Sequence, residues 1–232
     1  MLTLTLFYPI SYFAQSLMYT ESQEPNNRQY YSYTVTPFTQ RMVINPNLRQ
    51  WIPYYTGFVS AVGLSLLVLA LFQLPDDRTG LFAFAVMAAL AELLSVKLFF
   101  RSRNSTVSVS GIVGLASIVA FGPLAGVLIH LMTSMASVIQ AAFSADKPKG
   151  GRAIWFQRLA FNMGIWMVAS AAAGGLYVVV GGSIGFVQWR KDLLPLVLLS
   201  FTDIAVNLVL LIGVIVMQTG QHPLDVWKND FR

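Results

Sequence analysis

Six long apolar segments follow one another along the chain after Trp51, with short polar connections between them. A bilayer core about 30 Å thick requires roughly 20 apolar residues of helix to cross it. Several segments have that length, and charged residues are nearly absent from them. The pattern predicts an all-α integral membrane protein built as a bundle of six transmembrane helices. The segments are residues 55–74, 81–99, 107–121, 124–143, 161–180 and 193–217.

The chain is predicted to have three parts. Residues 51–220 form the six-helix transmembrane domain, and residues 221–232 form a cytoplasmic tail. Before them, residues 1–50 combine an apolar, aromatic stretch with a segment rich in Pro and Asn.

The apolar stretch at the N-terminus, residues 2–18, is interrupted by Pro9 and has no basic region before it. It is therefore a poor signal peptide. We expect a helix lying in the membrane interface, with a seventh crossing as the alternative. Residues 19–47 are expected to form an extended, irregular arm, because Pro and Asn punctuate them.

Composition agrees with a membrane domain. Hydrophobic residues make up 56% of the chain and charged residues 11%, against about 25% charged in soluble proteins. The net charge of +5 is attributed to loops that face the negative side of the membrane, so a lipid bilayer and not nucleic acid is the expected partner. The chain has no cysteine, which excludes disulfides, iron–sulfur clusters and thiol chemistry.

The distribution of basic residues predicts the orientation. If six helices cross and the N-terminus is cytoplasmic, twelve of the fifteen basic residues fall on the cytoplasmic side. Only Arg78, Arg190 and Lys191 lie outside. This asymmetry places both termini in the cytoplasm. The twelve are Arg28, Arg41, Arg49, Lys97, Arg101, Arg103, Lys147, Lys149, Arg152, Arg158, Lys228 and Arg232.

Polar residues inside the apolar segments are candidates for a functional centre, because such residues are costly in lipid and usually have a purpose. Asp203 and Asn207 are four residues apart and share one helix face. One interpretation is a polar pocket for a ligand or ion, in which Asp203 and Glu92 are the favoured residues. The other is that these side chains tie helices together by hydrogen bonds. The candidate intramembrane polar centre comprises Glu92, His130, Asn162, Asp203 and Asn207.

No metal, cofactor or catalytic site is predicted. The only histidines are His130 and His222, and His130, which lies inside an apolar segment, has no His or carboxylate three or four residues further on, as a helical metal site requires. The chain also lacks the Gly-x-Ser-x-Gly and His-Glu-x-x-His motifs. We therefore expect a protein that is not an enzyme by itself.

Small residues are concentrated in the third and fifth segments, in residues 105–117 and 169–175. Such faces allow helix backbones to approach closely, where dispersion and interhelical hydrogen bonds hold a bundle. Internal packing is the expected role, and a slot for a pigment or lipid is the alternative.

Several short motifs support a resemblance to a known family. They make residues 88–232, about 60% of the chain, resemble the N-terminal membrane region of MASE type in bacterial signalling proteins with HD-GYP or GGDEF output domains. The motifs are Ala91-Glu92, Val107-Ser108-Val109-Ser110, Phe121-Gly122-Pro123-Leu124-Ala125, Leu159-Ala160-Phe161-Asn162, Val206-Asn207 and Val226-Trp227-Lys228-Asn229-Asp230-Phe231-Arg232.

The resemblance implies a membrane-embedded signalling input domain in the bacterial inner membrane. In that family a soluble output domain follows the last helix, whereas this sequence ends at Arg232. Either the native chain continues, or a stand-alone version acts by binding other proteins. We therefore predict a sensory or protein-docking module whose partners are other membrane proteins or the missing output domain.

Two other functions remain open. Residues 115–126, Leu-Ala-Ser-Ile-Val-Ala-Phe-Gly-Pro-Leu-Ala-Gly, are similar to sequences in the substrate-binding S components of vitamin transporters, which work with a separate ATPase module. Alternatively, the chain is a structural or accessory subunit of a respiratory or photosynthetic complex. The arm of residues 19–47 favours the latter, because such arms often become ordered on a neighbouring protein.

Overall fold

The computed structural model describes residue 48 and residues 50–94, 96–100, 103–107, 109–143, 151–220 and 222–230. The predicted interfacial helix of residues 2–18 and the arm of residues 19–47 lie outside this part of the chain.

Each of the six apolar segments contains a helix, and the helices follow the order of the segments. They are α1 (Ile52–Phe72), α2 (Arg78–Leu93), α3 (Ser110–Phe121), α4 (Pro123–Phe143), α5 (Gly151–Val179) and α6 (Trp189–Thr219). A short helix, α7 (Pro223–Asp230), follows them.

Four of these helices are long and apolar enough to cross a membrane: α1, α4, α5 and α6. This supports the prediction of a helical membrane protein. The remaining two are shorter, with 16 residues in α2 and 12 in α3. At about 1.5 Å per residue, α3 extends only about 18 Å. Helix length therefore supports four membrane crossings, and six crossings stay a prediction.

A β-hairpin replaces the end of the second predicted helix and the start of the third. Strand β1 (Val96–Phe100) pairs antiparallel with β2 (Arg103–Val107), and Val96 lies opposite Val107. The prediction of continuous helix to residue 99, and again from residue 107, was wrong. Val, Thr and Phe favour a strand, and an apolar run alone does not distinguish a strand from a helix.

Helix α5 starts before its apolar segment, and the tail contains a further helix. Helix α5 begins at Gly151, so Arg152 and Arg158 belong to the helix and not to the preceding loop. The apolar run marks only the part of the helix that can lie in the hydrocarbon core of a bilayer. The backbone hydrogen bonds of the helix continue through the charged turns that precede this part. The tail after residue 220 contains α7. Gly220, which has a left-handed conformation, separates α7 from α6.

Helix α5 is the centre of the packing and contacts α1, α3, α4 and α6. Helix α2 packs on the other side of α4, against α3 and α4. At the crossing of α1 and α5, a Cβ atom added to Gly63 would lie 2.6 Å from the Cα of Gly164. The two backbones are thus in direct contact, which only glycine allows at this distance.

The connection between α3 and α4 is a single residue. Gly122 has φ of 102°, in the left-handed region, and Pro123 begins α4. Glycine adopts this conformation without strain, and proline is well suited to a first helical position. The tight turn follows directly from the Gly-Pro pair.

Candidate functional site

Asp203 and Asn207, the α6 polar pair, lie at the middle of the longest helix. Asp203 is fourteen residues after Trp189 and sixteen before Thr219, the ends of α6. Asp203 is 2% exposed and Asn207 is 5% exposed. In the part of the chain that the structure describes, the Oδ1 atoms of both side chains lack a hydrogen-bond partner.

Apolar contacts lie on either side of the α6 polar pair. One turn before it, Leu199 packs with Ala173 and Tyr177 of α5. One turn after it, Leu211 packs with Phe161 and Ile165 of α5. The spacing of four residues continues through all of these α6 positions, so the polar pair belongs to the same buried row.

The antiparallel register of α5 and α6 places Ala169 level with the α6 polar pair, between Ile165 and Ala173. Ala169 is fully buried and has no side-chain hydrogen-bonding group. Ala169 of α5 therefore offers no side-chain hydrogen bond at the level of the α6 polar pair.

His130 of α4 lies against α3 and α5. Its ring stacks on Trp166, with the centroids 5.1 Å apart and the planes inclined by 27°. A Cβ atom on Gly114 of α3 would lie 2.9 Å from Nε2 of His130, so the absence of a side chain there makes room for the imidazole. This Nε2 atom is buried and has no hydrogen-bond partner among the described residues.

Ser170, on α5, is a further buried polar group that the sequence did not single out by itself. Its Oγ atom has no partner within the described part of the chain. A Cβ atom on Gly126 of α4 would lie 2.7 Å from this oxygen. Ser170 therefore points towards α4.

Glu92 is fully engaged in a different place. Its Oε2 accepts a hydrogen bond from Ser110 Oγ and its Oε1 accepts one from Ser137 Oγ, both at 2.8 Å. The carboxylate thus joins the end of α2 to the start of α3 and to the C-terminal half of α4. Here the interpretation as a tie between helices fits the geometry.

The five predicted residues therefore fall into separate groups. Asp203 and Asn207 form a pair on α6, Glu92 bonds to two serines, and His130 stacks on Trp166. Asn162 is half-buried on α5, next to Phe161 of the apolar cluster that α5 forms with α1 and α6.

Sequence reasoning missed Asp192, which is fully buried at the start of α6. Its two oxygens accept hydrogen bonds from the backbone N–H groups of Ser183, at 2.9 Å, and Gln188, at 2.6 Å. Tyr177 donates its hydroxyl to the carbonyl of Ser183 at 2.7 Å. The signal available was an acidic residue in the first turn of a helix, where it can satisfy free N–H groups.

Helix α7 docks on the opposite end of the bundle. Val226 is fully buried in a cluster that contains Val59 of α1, Phe161 of α5 and Val214 of α6. Leu224 and Trp227 on the same short helix are exposed. One side chain thus anchors α7 to three long helices.

The described residues contain no group of three or more His, Cys, Asp or Glu side chains that could hold a metal ion. No family model, curated protein or solved structure matches this chain.

Proposed function

We propose that this chain is a sensory or protein-docking module embedded in the inner membrane of a bacterium, without catalytic activity of its own. The observation that supports the proposal is the α6 polar pair, two buried side chains at the middle of α6 whose Oδ1 atoms have no hydrogen-bond partner among the described residues.

Glu92 and the α6 polar pair differ in whether their side-chain oxygens have hydrogen-bond donors. Glu92 has a hydroxyl donor for each carboxylate oxygen, as a polar residue that only holds helices together should. A buried acceptor without a donor costs about 1–3 kcal/mol, and more when it is charged. Among the described residues the α6 polar pair has no such donor for its Oδ1 atoms and carries this cost. Its role is therefore to bind a ligand or a partner group that interacts with these oxygens.

Helix α6 offers a route from the pair to the end of the bundle. It continues for three turns beyond Asn207 to Thr219, then turns at Gly220 into α7. Because Val226 holds α7 against α1, α5 and α6, a shift of α6 would alter this docking. In the MASE-type proteins that the sequence resembles, the output domain follows the last helix at this point.

For the topology, we propose six crossings with both termini in the cytoplasm. Helix α3 packs along α2. Phe121 at its end is in edge-to-face contact with Phe84 at 5.3 Å, and Ser110 at its start is bonded to Glu92. Four crossings, with α2 and α3 as a re-entrant pair, would also leave both termini on one side. The position of the β-hairpin distinguishes the two arrangements.

A single cysteine at Val226 tests the proposed role, since the chain has no native cysteine. Its reaction rate with a maleimide reports how often α7 leaves the bundle. We expect Asp203→Leu to change this rate several-fold while expression and helix content stay the same, because the substitution alters the packing of α6 on α5. Val209→Leu, on the exposed face of α6, is the matched control and should leave the rate unchanged.

An unchanged rate in a folded Asp203→Leu variant would contradict coupling between the pair and α7. Purification of the native chain in mild detergent addresses the alternatives. Stable association with ATPase subunits would favour a transporter component, and association with a large multi-subunit assembly would favour a structural subunit.

A further inference from the structure

The α6 polar pair places two buried oxygens close together on one helix. Asp203 and Asn207 are one helical turn apart, so their Cβ atoms are separated by about 5–6 Å. Leu199 and Leu211, one turn before and one turn after the pair, pack with side chains of α5. A ligand that joins the two side chains therefore has to span only one turn of α6.

The unpartnered atoms define the chemistry of that ligand. The Oδ1 atoms of Asp203 and Asn207 are both oxygens, which accept hydrogen bonds or coordinate hard cations. Soft and transition metals prefer His and Cys ligands, and the described residues bring no such cluster together. The donor set fits a hard cation.

The charge of the surroundings limits the charge of the cation. Helix α6 has no Lys or Arg after Lys191, α5 has none after Arg158, and α3 and α4 have none along their lengths. An ionised Asp203 would therefore place one negative charge in the middle of α6, with no basic side chain from these helices to neutralise it. Charges at this depth are costly unless they are paired, and a monovalent cation would balance this one.

We propose that Asp203 and Asn207 bind a monovalent cation, for which Na⁺ is the test ion. Asp203 supplies the charge, and Asn207 supplies a neutral oxygen one turn away. This inference rests on the proposed sensory role, for which it names the ligand class. Binding would join two adjacent turns of α6 and change how the helix packs against Ala169 and its neighbours on α5.

Thermal unfolding of the purified full chain in detergent tests the site. Buffers of equal ionic strength would contain NaCl, KCl or choline chloride. A ligand that binds only the folded state raises the unfolding midpoint in a saturable way. We expect such a rise with Na⁺ in the unmodified chain, its loss in Asp203→Asn, and at least a tenfold weaker apparent Na⁺ affinity in Asn207→Leu.

Ser200→Ala is the matched control, because Ser200 is a half-buried polar residue on the same helix outside the buried row. It should keep the full response to Na⁺. No response to Na⁺ in the unmodified chain, an equal response to choline, or a response that persists in Asp203→Asn would each overturn the inference. A midpoint that depends on pH and not on Na⁺ would also overturn it, since the pair would then share a proton.

A second measurement covers the case in which Asp203→Asn does not fold. Equilibrium dialysis of the unmodified chain with radioactive sodium should give one bound ion per chain, and no bound ion would overturn the proposal. The Val226→Cys experiment separates the two proposals. Coupling without Na⁺ binding leaves the sensory role with another ligand, whereas Na⁺ binding without coupling leaves a cation site that only stabilises the bundle.

Discussion

Buried polar side chains in this bundle differ in whether the protein satisfies them. Glu92 and Asp192 each accept two hydrogen bonds, and each lies near one end of a helix. Asp203 is in the middle of its helix, and its Oδ1 has no partner among the described residues. Because free backbone N–H groups are found at helix starts, a carboxylate elsewhere in a helix depends on side chains of other helices, as Glu92 does, or on a ligand.

Asp192, next to the loop between α5 and α6, provides a test of a buried carboxylate whose oxygens both have hydrogen-bond donors. Asp192→Asn should lower the thermal unfolding midpoint in detergent, because an amide offers only one acceptor oxygen to the N–H groups of Ser183 and Gln188. Tyr177→Phe, which removes one hydrogen bond to Ser183, should cost about 1 kcal/mol and shift the midpoint less.

Ser65→Ala serves as the control for these substitutions. It removes a hydrogen bond from the exposed Ser65 hydroxyl to the Ala61 carbonyl at 2.9 Å, and exposed contacts of this kind contribute within about 0.5 kcal/mol. If Asp192→Asn shifts the midpoint no more than Ser65→Ala, the carboxylate does not organise the loop.

At the scale of helices, direct backbone contact holds α1 against α5. The crossing at Gly63 and Gly164 brings the two helices closer than any side chain would permit, since a Cβ atom on Gly164 would lie 2.8 Å from the carbonyl oxygen of Val59. Close approach of this kind favours dispersion contacts, which drive helix association where the hydrophobic effect is weak.

Gly164→Val should therefore destabilise the folded bundle by about 1–3 kcal/mol, the usual range for overpacking. Gly175, on the same helix, has no atom within 4 Å of an added Cβ, so Gly175→Ala is the matched control and should be neutral or slightly stabilising. Thermal unfolding followed by circular dichroism measures both. Equal stability of the two variants would show that the crossing tolerates a side chain.

For the whole molecule, helix length divides the six helices into two classes. Helices α1, α4, α5 and α6 are long enough, whereas α2 and α3 are short and are joined by the β-hairpin. In the six-crossing arrangement this hairpin lies at the cytoplasmic face, with α7. In the re-entrant arrangement it stays within the membrane or opens to the outside.

Single cysteines at Asn104, Phe186 and Leu224 resolve the topology. A membrane-impermeant maleimide applied to intact cells should label only position 186, in the loop between α5 and α6. Positions 104 and 224 should react only after the membrane is permeabilised, because six crossings place the hairpin and α7 in the cytoplasm. The unmodified chain, which has no cysteine, gives the background. Failure of position 104 to react from the cytoplasmic side would reduce the crossings to four.

The positions of the six helices and the tight turn at Gly122-Pro123 follow from the amino-acid sequence, because apolar runs and the backbone limits of Gly and Pro are local properties. The sequence also indicated Asp203 and Asn207, since polar residues are conspicuous within an apolar run and their spacing places them on one face. The contact of Gly63 with Gly164 and the partners of Glu92 required the packed bundle, because they join groups far apart in the chain. Whether a buried polar atom finds a partner is a property of several helices together. For this reason only the packed bundle distinguishes Glu92, which is satisfied, from Asp203, whose Oδ1 has no partner among the described residues.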